Sequence, residues 1–515
     1  MRFLNPISAV GRWRDALVNG PRRWRDTLAD PARANGALLM TLAVYVVVWT
    51  VYGTIAKGTQ GFHFDMVEVI AWSRDLSHGY LKHPPLAAAV VWAWFSVFPV
   101  AEWSYYLLAM TMPALALWIM WHLSAAYLDA DKRIAGLAMM MLVPFFNFHA
   151  LKFNVNTVLI PLWAATTFWF LRSFTTRGKV DAALAGLAAA GAMLGKYWSV
   201  LLLAGLIVAA LSDRRRAAYF RSPAPWITIV AGLIVIAPHI GWLIEHNFAP
   251  FTYAMTVHGD KAFANTLTAA LGYLGGSLGY VALPLLIVLI ATRGDRATLA
   301  DMAWPADADR RLAAAAFWAP FLLPAIAALA TGTEITSLWS MSAWTLLPVL
   351  LLSSPRIVLR PVDTQRVLLM AAALPLIMLI ASPAIAIKNR RDGAPSAAAQ
   401  SHLLAIEVER LWHETTPLPL RFVGGDGDIL LGVVAYATER PRALLDGLAE
   451  PDAAQLRQAG MVLLCFTGDQ ACLDGAKRTA GAAPSRTIQT SISQKDWGKV
   501  LPARSYTMMV VPPRP

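Results

Sequence analysis

The chain has 515 residues, 57% of them hydrophobic and 15% charged, with a mean hydropathy of +0.50. It is too apolar for a soluble protein and describes a polytopic membrane protein. The formal charge is +12, but Lys and Arg fall in short loops between apolar runs rather than in one patch, which argues against nucleic acid as a partner. The two cysteines, Cys465 and Cys472, exclude a disulfide scaffold or a four-thiolate zinc site.

Residues 1–36 form a basic arm in which Arg12, Arg14, Arg22, Arg23 and Arg25 are interleaved with Trp13, Leu17 and Trp24. An amphipathic segment on an anionic membrane surface and a disordered basic tail both fit this pattern. It does not read as a cleavable signal, because the apolar run starts only near Ala37 and no small-residue cleavage site follows.

Segments long enough to cross roughly 30 Å of hydrocarbon fall at about 37–55, 104–127, 134–149, 155–172, 181–195, 198–212, 224–244, 266–292, 312–331, 335–353 and 366–387, eleven in all. Leu86 to Phe98, bracketed by Pro85 and Pro99, is apolar but short. If it does not cross, the arm and the loops 129–133, 172–179, 213–221, 293–311 and 356–366 share one side and hold 23 Lys and Arg, against six in the short loops opposite. Counting it as a crossing destroys that asymmetry, so the positive-inside rule makes it an interfacial or re-entrant helix on the outer side.

The first outer loop, 56–85, is rich in chemistry. A helix starting near Asp65 puts Asp65 and Glu68 one turn apart on one face, with Val69, Ile70, Trp72 and Leu76 free to rest on the bilayer. A carboxylate there can act as general base, and desolvation is expected to raise its pKa; a helix N-cap at Asp65 with a solvated Glu68 is the plainer reading. Paired prolines after Gly79-Tyr80-Leu81-Lys82-His83 make a stiff entry into a helix and hold Lys82 and His83 near its N-terminus, where a phosphate is favoured.

Lys152 and Lys196 end predicted spans on the same side. Each reads either as a snorkelling lysine or, with Lys82, His83 and Tyr197, as part of a cation set for a phosphate leaving group. Tyr80, His149, Asn154 and Asn156 are candidates for hydrogen bonds to a sugar, although asparagines closing a turn look the same. In the loop 242–262, His246, Tyr253 and His258 lie among aromatics that form either an interfacial belt or a stacking surface for a sugar or polyprenyl chain. Glu334, Trp339 and Trp344 are weaker candidates of the same kind.

From about residue 389 the polarity becomes ordinary. Apolar runs at 420–423, 461–466 and 506–511 read as buried strands, and 403–412 and 452–458 as helices. Residues 389–515 are therefore expected to form a small α/β domain on the outer face, joined to the membrane part, 37–388, by an Ala/Ser/Gly linker near 392–400. Cys465 and Cys472 both fall in it, either as a local disulfide or as two unpaired thiols.

An acid in the first outer loop, a Gly79-Tyr80-x-x-His83-Pro84-Pro85-Leu86 step and a Leu194-Gly195-Lys196-Tyr197 element together resemble glycosyltransferase family 39. That group contains the dolichyl-phosphate-mannose protein mannosyltransferases and the bacterial lipid A aminoarabinose transferase. The resemblance covers roughly residues 37–350. It implies a GT-C fold with a polyprenyl-phosphate sugar donor and inversion at the anomeric carbon, Asp65 standing at the family's catalytic acid and Lys196 in its Lys-Tyr element. Many members read Asp-Glu where Met66 follows Asp65 here, and many carry an acid where this chain has Lys82. These departures weaken any carried-over metal site.

The expected protein is a multi-pass bacterial inner-membrane glycosyltransferase with a cytoplasmic N-terminus and a periplasmic C-terminal domain. It acts on a cell-envelope glycan, lipid A or another lipid, or a protein. Asp65 and Glu68 do the acid–base work. Lys82, His83, Lys152, Lys196 and Tyr197 hold the donor phosphate, while Tyr80, Asn154, Asn156, His246, Tyr253 and His258 contact substrate. No cofactor is required on this reading, and a divalent cation held by Asp65, Glu68 and His83 is the alternative. A transporter or flippase of a polyprenyl-linked sugar is the rival, although the mid-membrane polar residues and internal repeats of that class are not evident.

Overall fold

A computed structural model describes residues 19–58, 60–259, 261–391, 398–445, 451–493, 495–496, 499–500 and 502–514. Arg12, Trp13, Arg14, Leu17 and most of the expected linker lie outside these residues. The arm is helical over 19–29, held where Trp24 Nε1 donates to Thr41 Oγ1 at 2.9 Å and Arg25 pairs with Asp131.

Among the described residues, five helices have the length and apolarity to cross a membrane: Ala34–Lys57, Glu102–Ser124, Ala224–Glu245, Ala308–Thr331 and Pro361–Arg391. Phe263–Tyr280 and Ala282–Thr292 make a sixth crossing if taken together, bent by 65°. The expected span 155–172 is a continuous helix, Val155–Thr176, long enough but less apolar than these, and the other segments expected as spans are shorter or interrupted. The 134–149 segment is helical only to Met141, because Val143 turns extended ahead of Pro144, which has no N–H to give. The 335–353 segment is not a continuous helix: its polar first half forms two 3₁₀ turns, Ser337–Ser340 and Ala343–Leu346, before the short helix Leu347–Leu352.

The loops sort into two faces by their own bonds. On one, Arg25 meets Asp131, Lys132 Nζ donates to the Ser354 carbonyl at 3.0 Å, Arg310 Nε donates to Ser353 Oγ at 3.0 Å, and Arg215 pairs with Asp309 at 2.5 Å. These join the arm to three of the five loops that the charge count grouped together, 129–133, 213–221 and 293–311, and to Ser353 and Ser354 just before a fourth. The helix Leu86–Phe95 begins beside the outer loop and is followed by Glu102, which bonds to the C-terminal region. Both its ends lie on one face, as expected of an interfacial or re-entrant piece.

The C-terminal region contains a five-stranded sheet in the order Arg442–Ala443, Phe422–Gly425, Met461–Phe466, Arg504–Val511, Arg486–Ile492. The first three strands run parallel; the last two are added antiparallel, with Val462 opposite Val510 and Ile488 opposite Met508. Met461–Phe466 is almost wholly apolar because it is buried on both faces. Helices Ala398–His413 and Gln470–Ala480 accompany the sheet, and Cys465 and Cys472 are bonded as a disulfide.

Candidate active site

Phe64–Ser73 is a helix whose N-cap is His63 rather than Asp65: His63 Nδ1 accepts from the Asp65 amide at 3.1 Å. Asp65 and Glu68 therefore share one face in the first turns. Val69, Ile70 and Trp72 do not rest on lipid as expected; they are buried, because helices Leu86–Phe95 and Gly427–Tyr436 cover the remaining sides. Leu76 stays exposed.

The Asp65 carboxylate receives Asn154 Nδ2 at 2.8 Å and Lys152 Nζ at 3.2 Å on the same oxygen. Burial pushes it up, but Lys152, Asn154 and His63 outweigh burial and hold it below the ordinary range. This overturns the expectation of a raised pKa at this position. Burial does raise Glu68, even though Lys82 Nζ lies 2.5 Å from its Oε1. The two acids sit in environments that push them apart.

A cavity of about 460 Å³ opens beside this helix. Asp65, Glu68 and Trp72 line one wall; Lys82 and His83 follow from the Pro-Pro turn; Asn154, Asn156, Lys196 and Tyr197 come from the ends of neighbouring spans; Tyr253, His258, Thr333 and Trp339 close it. Gly79 makes the approach of the Pro-Pro turn possible. A Cβ there would lie 2.3 Å from the Trp242 ring, so only glycine fits.

Lys196 Nζ donates to Asn156 Oδ1 at 2.9 Å and stands 4.5 Å from the Trp339 ring centre. Burial lowers it to about 7, with Asp65 pulling weakly the other way. His83, lowered to about 3 by burial and by Lys196 and Lys82, is neutral and offers an anion one N–H rather than a charge. Tyr197 Oη lies 3.1 Å from His239 Nε2, and His239 Nδ1 lies 2.6 Å from the His78 carbonyl. A carbonyl only accepts, so Nδ1 carries the proton and Tyr197 donates to Nε2.

Several expected residues fall elsewhere. Lys152 is not among the cavity residues; it is the counter-ion of Asp65. Asn154 has its oxygen committed to capping Val155–Thr176 and its amide to Asp65, so it positions the acid. Tyr80 is buried, stacked on Trp72, and its hydroxyl bonds to the carbonyls of Trp72 and Asp75. His246 is exposed and stacked on Trp242, and His149 packs against Phe145 and Tyr280. Glu334 lines a neighbouring open cleft instead.

Trp72 and Thr333, which line the cavity, and His239, which bonds to the cavity residue Tyr197, were not singled out for the site from the sequence. His239 lies well inside an apolar span, where a lone polar residue was the available signal. Among the described residues no group of three His, Cys, Asp or Glu side chains is arranged to hold a metal ion. Asp65 and Glu68 each face a lysine instead.

Residues 82–242 match the family described as dolichyl-phosphate-mannose-protein mannosyltransferase. The lipopolysaccharide core galacturonosyltransferase RgtB of Rhizobium johnstonii is 25% identical over 257 residues, 48% of this chain and 51% of that protein. The chain thus spans about half the length of this curated relative. Among solved structures, ArnT from Cupriavidus metallidurans in the apo state aligns with a TM-score of 0.58 at 14% identity, covering 92% of this chain and 98% of that one. The same protein bound to undecaprenyl phosphate aligns at 0.57 and 15%, with equal coverage. The chain resembles the GT-C glycosyltransferases in sequence and carries their fold.

Proposed function

We propose that this chain is a membrane glycosyltransferase that moves a sugar from a polyprenyl-phosphate donor to a hydroxyl of an envelope glycan or lipid, with inversion, on the periplasmic face of a bacterial inner membrane. One observation carries the reading: a single cavity sets the carboxylates of Asp65 and Glu68 against Lys82 and Lys196. Negative groups for a proton and positive groups for a phosphate are both required by such a transfer.

In the step, the acceptor oxygen attacks the anomeric carbon and the bond from that carbon to the phosphate oxygen breaks. The electron pair leaves with polyprenyl phosphate, which gains one negative charge, and the acceptor's proton passes to Asp65. Lys152 and Asn154 fix that carboxylate. Glu68 and Asp65 stand one helical turn apart, so Glu68 assists. Lys82 and Lys196 act on the extra charge that appears on the phosphate, which is the part of their binding that speeds the reaction. Lys196, near 7 without ligand, takes a full charge when an anion arrives.

The ArnT structure with undecaprenyl phosphate supports the class of donor, and the RgtB relative supports an acceptor in the lipopolysaccharide core. The charge asymmetry of the loops and the Cys465–Cys472 disulfide support the periplasmic side.

Transfer of radiolabelled sugar from synthetic polyprenyl-phosphate donors to envelope extracts tests the reading, with wild type and Asp65→Asn side by side. Wild-type transfer that the variant loses is the expected result. A folded Asp65→Asn protein with full activity would remove the assignment. Intact donor crossing proteoliposomes without turnover would replace the enzyme with a transporter.

A further inference from the structure

The helix bearing Asp65 and Glu68 is gripped from outside the membrane. Its outer side packs on Gly427–Tyr436, an apolar helix of the C-terminal region. The last residue of that helix, Tyr436, accepts from the Phe62 amide at 2.8 Å and donates to Glu102 Oε1 at 2.9 Å. Its ring stacks on Phe62 at 4.9 Å, and Phe62, fully buried, packs edge-on against Tyr105. Tyr105 in turn donates to the Met66 carbonyl at 3.2 Å, inside the first turn of the acid-bearing helix. Past the other end of that helix, Arg442 pairs with Asp75.

The grip therefore has two points. One holds the residue just before the His63 cap; the other holds the chain two residues past Ser73. Asp65 lies three residues from Phe62, so a slack Phe62 moves the carboxylate. Displacement of a reacting group by about 1 Å can cost on the order of 100-fold in rate.

We propose that the C-terminal region sets the position of the acid-bearing helix, with Tyr436 as the positioning residue at its N-terminal end and Arg442 at its C-terminal end. This rests on the transfer activity proposed above only for its kinetic consequence. The clamp itself is a statement about the order of residues 62–73.

The test uses the intact chain in detergent, comparing wild type with Tyr436→Phe, Arg442→Asp, Asp75→Arg and the last two combined. Tyr436→Phe keeps the stacked ring and removes both hydrogen bonds. Amides over 62–68 are expected to exchange with deuterium about 10-fold faster, kcat to fall about 10-fold, and the affinity for polyprenyl phosphate to change by less than about twofold. Arg442→Asp is expected to lower kcat, and the swapped pair Arg442→Asp with Asp75→Arg to recover it.

Unchanged exchange over 62–68 overturns the proposal, as does faster exchange with unchanged kcat. So does a loss confined to donor affinity, which would make Tyr436 a binding residue. If the wild-type chain transfers no sugar, the transfer reading falls and the exchange comparison alone decides the clamp.

Discussion

Glu68 Oε1 and Lys82 Nζ, 14 residues apart in the chain, lie 2.5 Å apart in the cavity wall and tie the acid-bearing helix to the Pro-Pro turn. Lys82 is the cation closest to Glu68, and the pair unites the two motifs that carry the chemistry of the outer loop.

Replacing Lys82 therefore acts on both charges. Lys82→Met removes a cation from the phosphate side and strips Glu68 of its counter-ion, so the Glu68 carboxyl, already raised by burial, rises further. Removal of one such group from a preorganised site lowers kcat/KM by about 100-fold. Lys82→Arg keeps the charge and is expected to retain more. Steady-state kinetics with a synthetic donor decides this, and equal activity in all three proteins takes Lys82 out of the site.

Lys152 predicts a shift along the pH axis. Asp65 is held below its unfolded value chiefly by Lys152 and Asn154 working against burial. Its pairing thus stabilises the fold at pH above the unfolded carboxylate range and is lost as pH falls through the lower folded value. Lys152→Met raises Asp65, so the acidic limb of kcat/KM moves to higher pH, and the variant, whose folded and unfolded Asp65 values lie closer together, loses less stability than wild type on acidification. A limb that stays in place shows that Asp65 does not control it.

For Lys196 the sign is the opposite. Its folded value of about 7 lies below the ordinary 10.5, so between those values the unfolded chain binds more protons and stability rises with pH. Below about 7 the buried charge is a standing cost. Lys196→Met should therefore gain most in Tm over wild type near pH 6 and least near pH 9. Binding of polyprenyl phosphate restores the charge and takes up a proton above pH 7, seen by calorimetry in buffers of different ionisation enthalpy. Proton-neutral binding at pH 8 would place the phosphate elsewhere.

The disulfide joins residues seven apart, linking Met461–Phe466 to the helix Gln470–Ala480. Closing so short a loop stabilises by about 2.4 kcal/mol in the chain-entropy account. Alkylation of membrane-extracted protein without reduction should label neither cysteine. The Cys465→Ser, Cys472→Ser double variant should unfold its C-terminal region earlier in denaturant. Free thiols in freshly extracted protein would count against a periplasmic C-terminal region.

Much of the architecture was legible in local pattern. Apolar runs located the helices, and Met461–Phe466 and Arg504–Val511 appear where continuous apolar residues called for buried strands. Two expectations failed for a local reason. Pro144 ends one span early, and Ser337, Ser340 and Ser342 break another into 3₁₀ turns. Both signals were in the sequence and were outweighed by average hydropathy.

The site divides in the same way. By itself the sequence determined that Asp65, Lys82, Lys196 and their neighbours share one face, because short loops can sit on only one side of the membrane and the basic loops mark the other. Only the tertiary structure decided which of these polar groups meet. Lys152 turns to Asp65 rather than to the cavity, Tyr80 turns inward, His239 reaches Tyr197 from within a helix, and Tyr436 arrives from a part of the chain 374 residues beyond Phe62. Periodicity and charge act within a few residues of themselves, whereas a hydrogen bond between distant segments depends on how whole helices pack, and no local pattern encodes that.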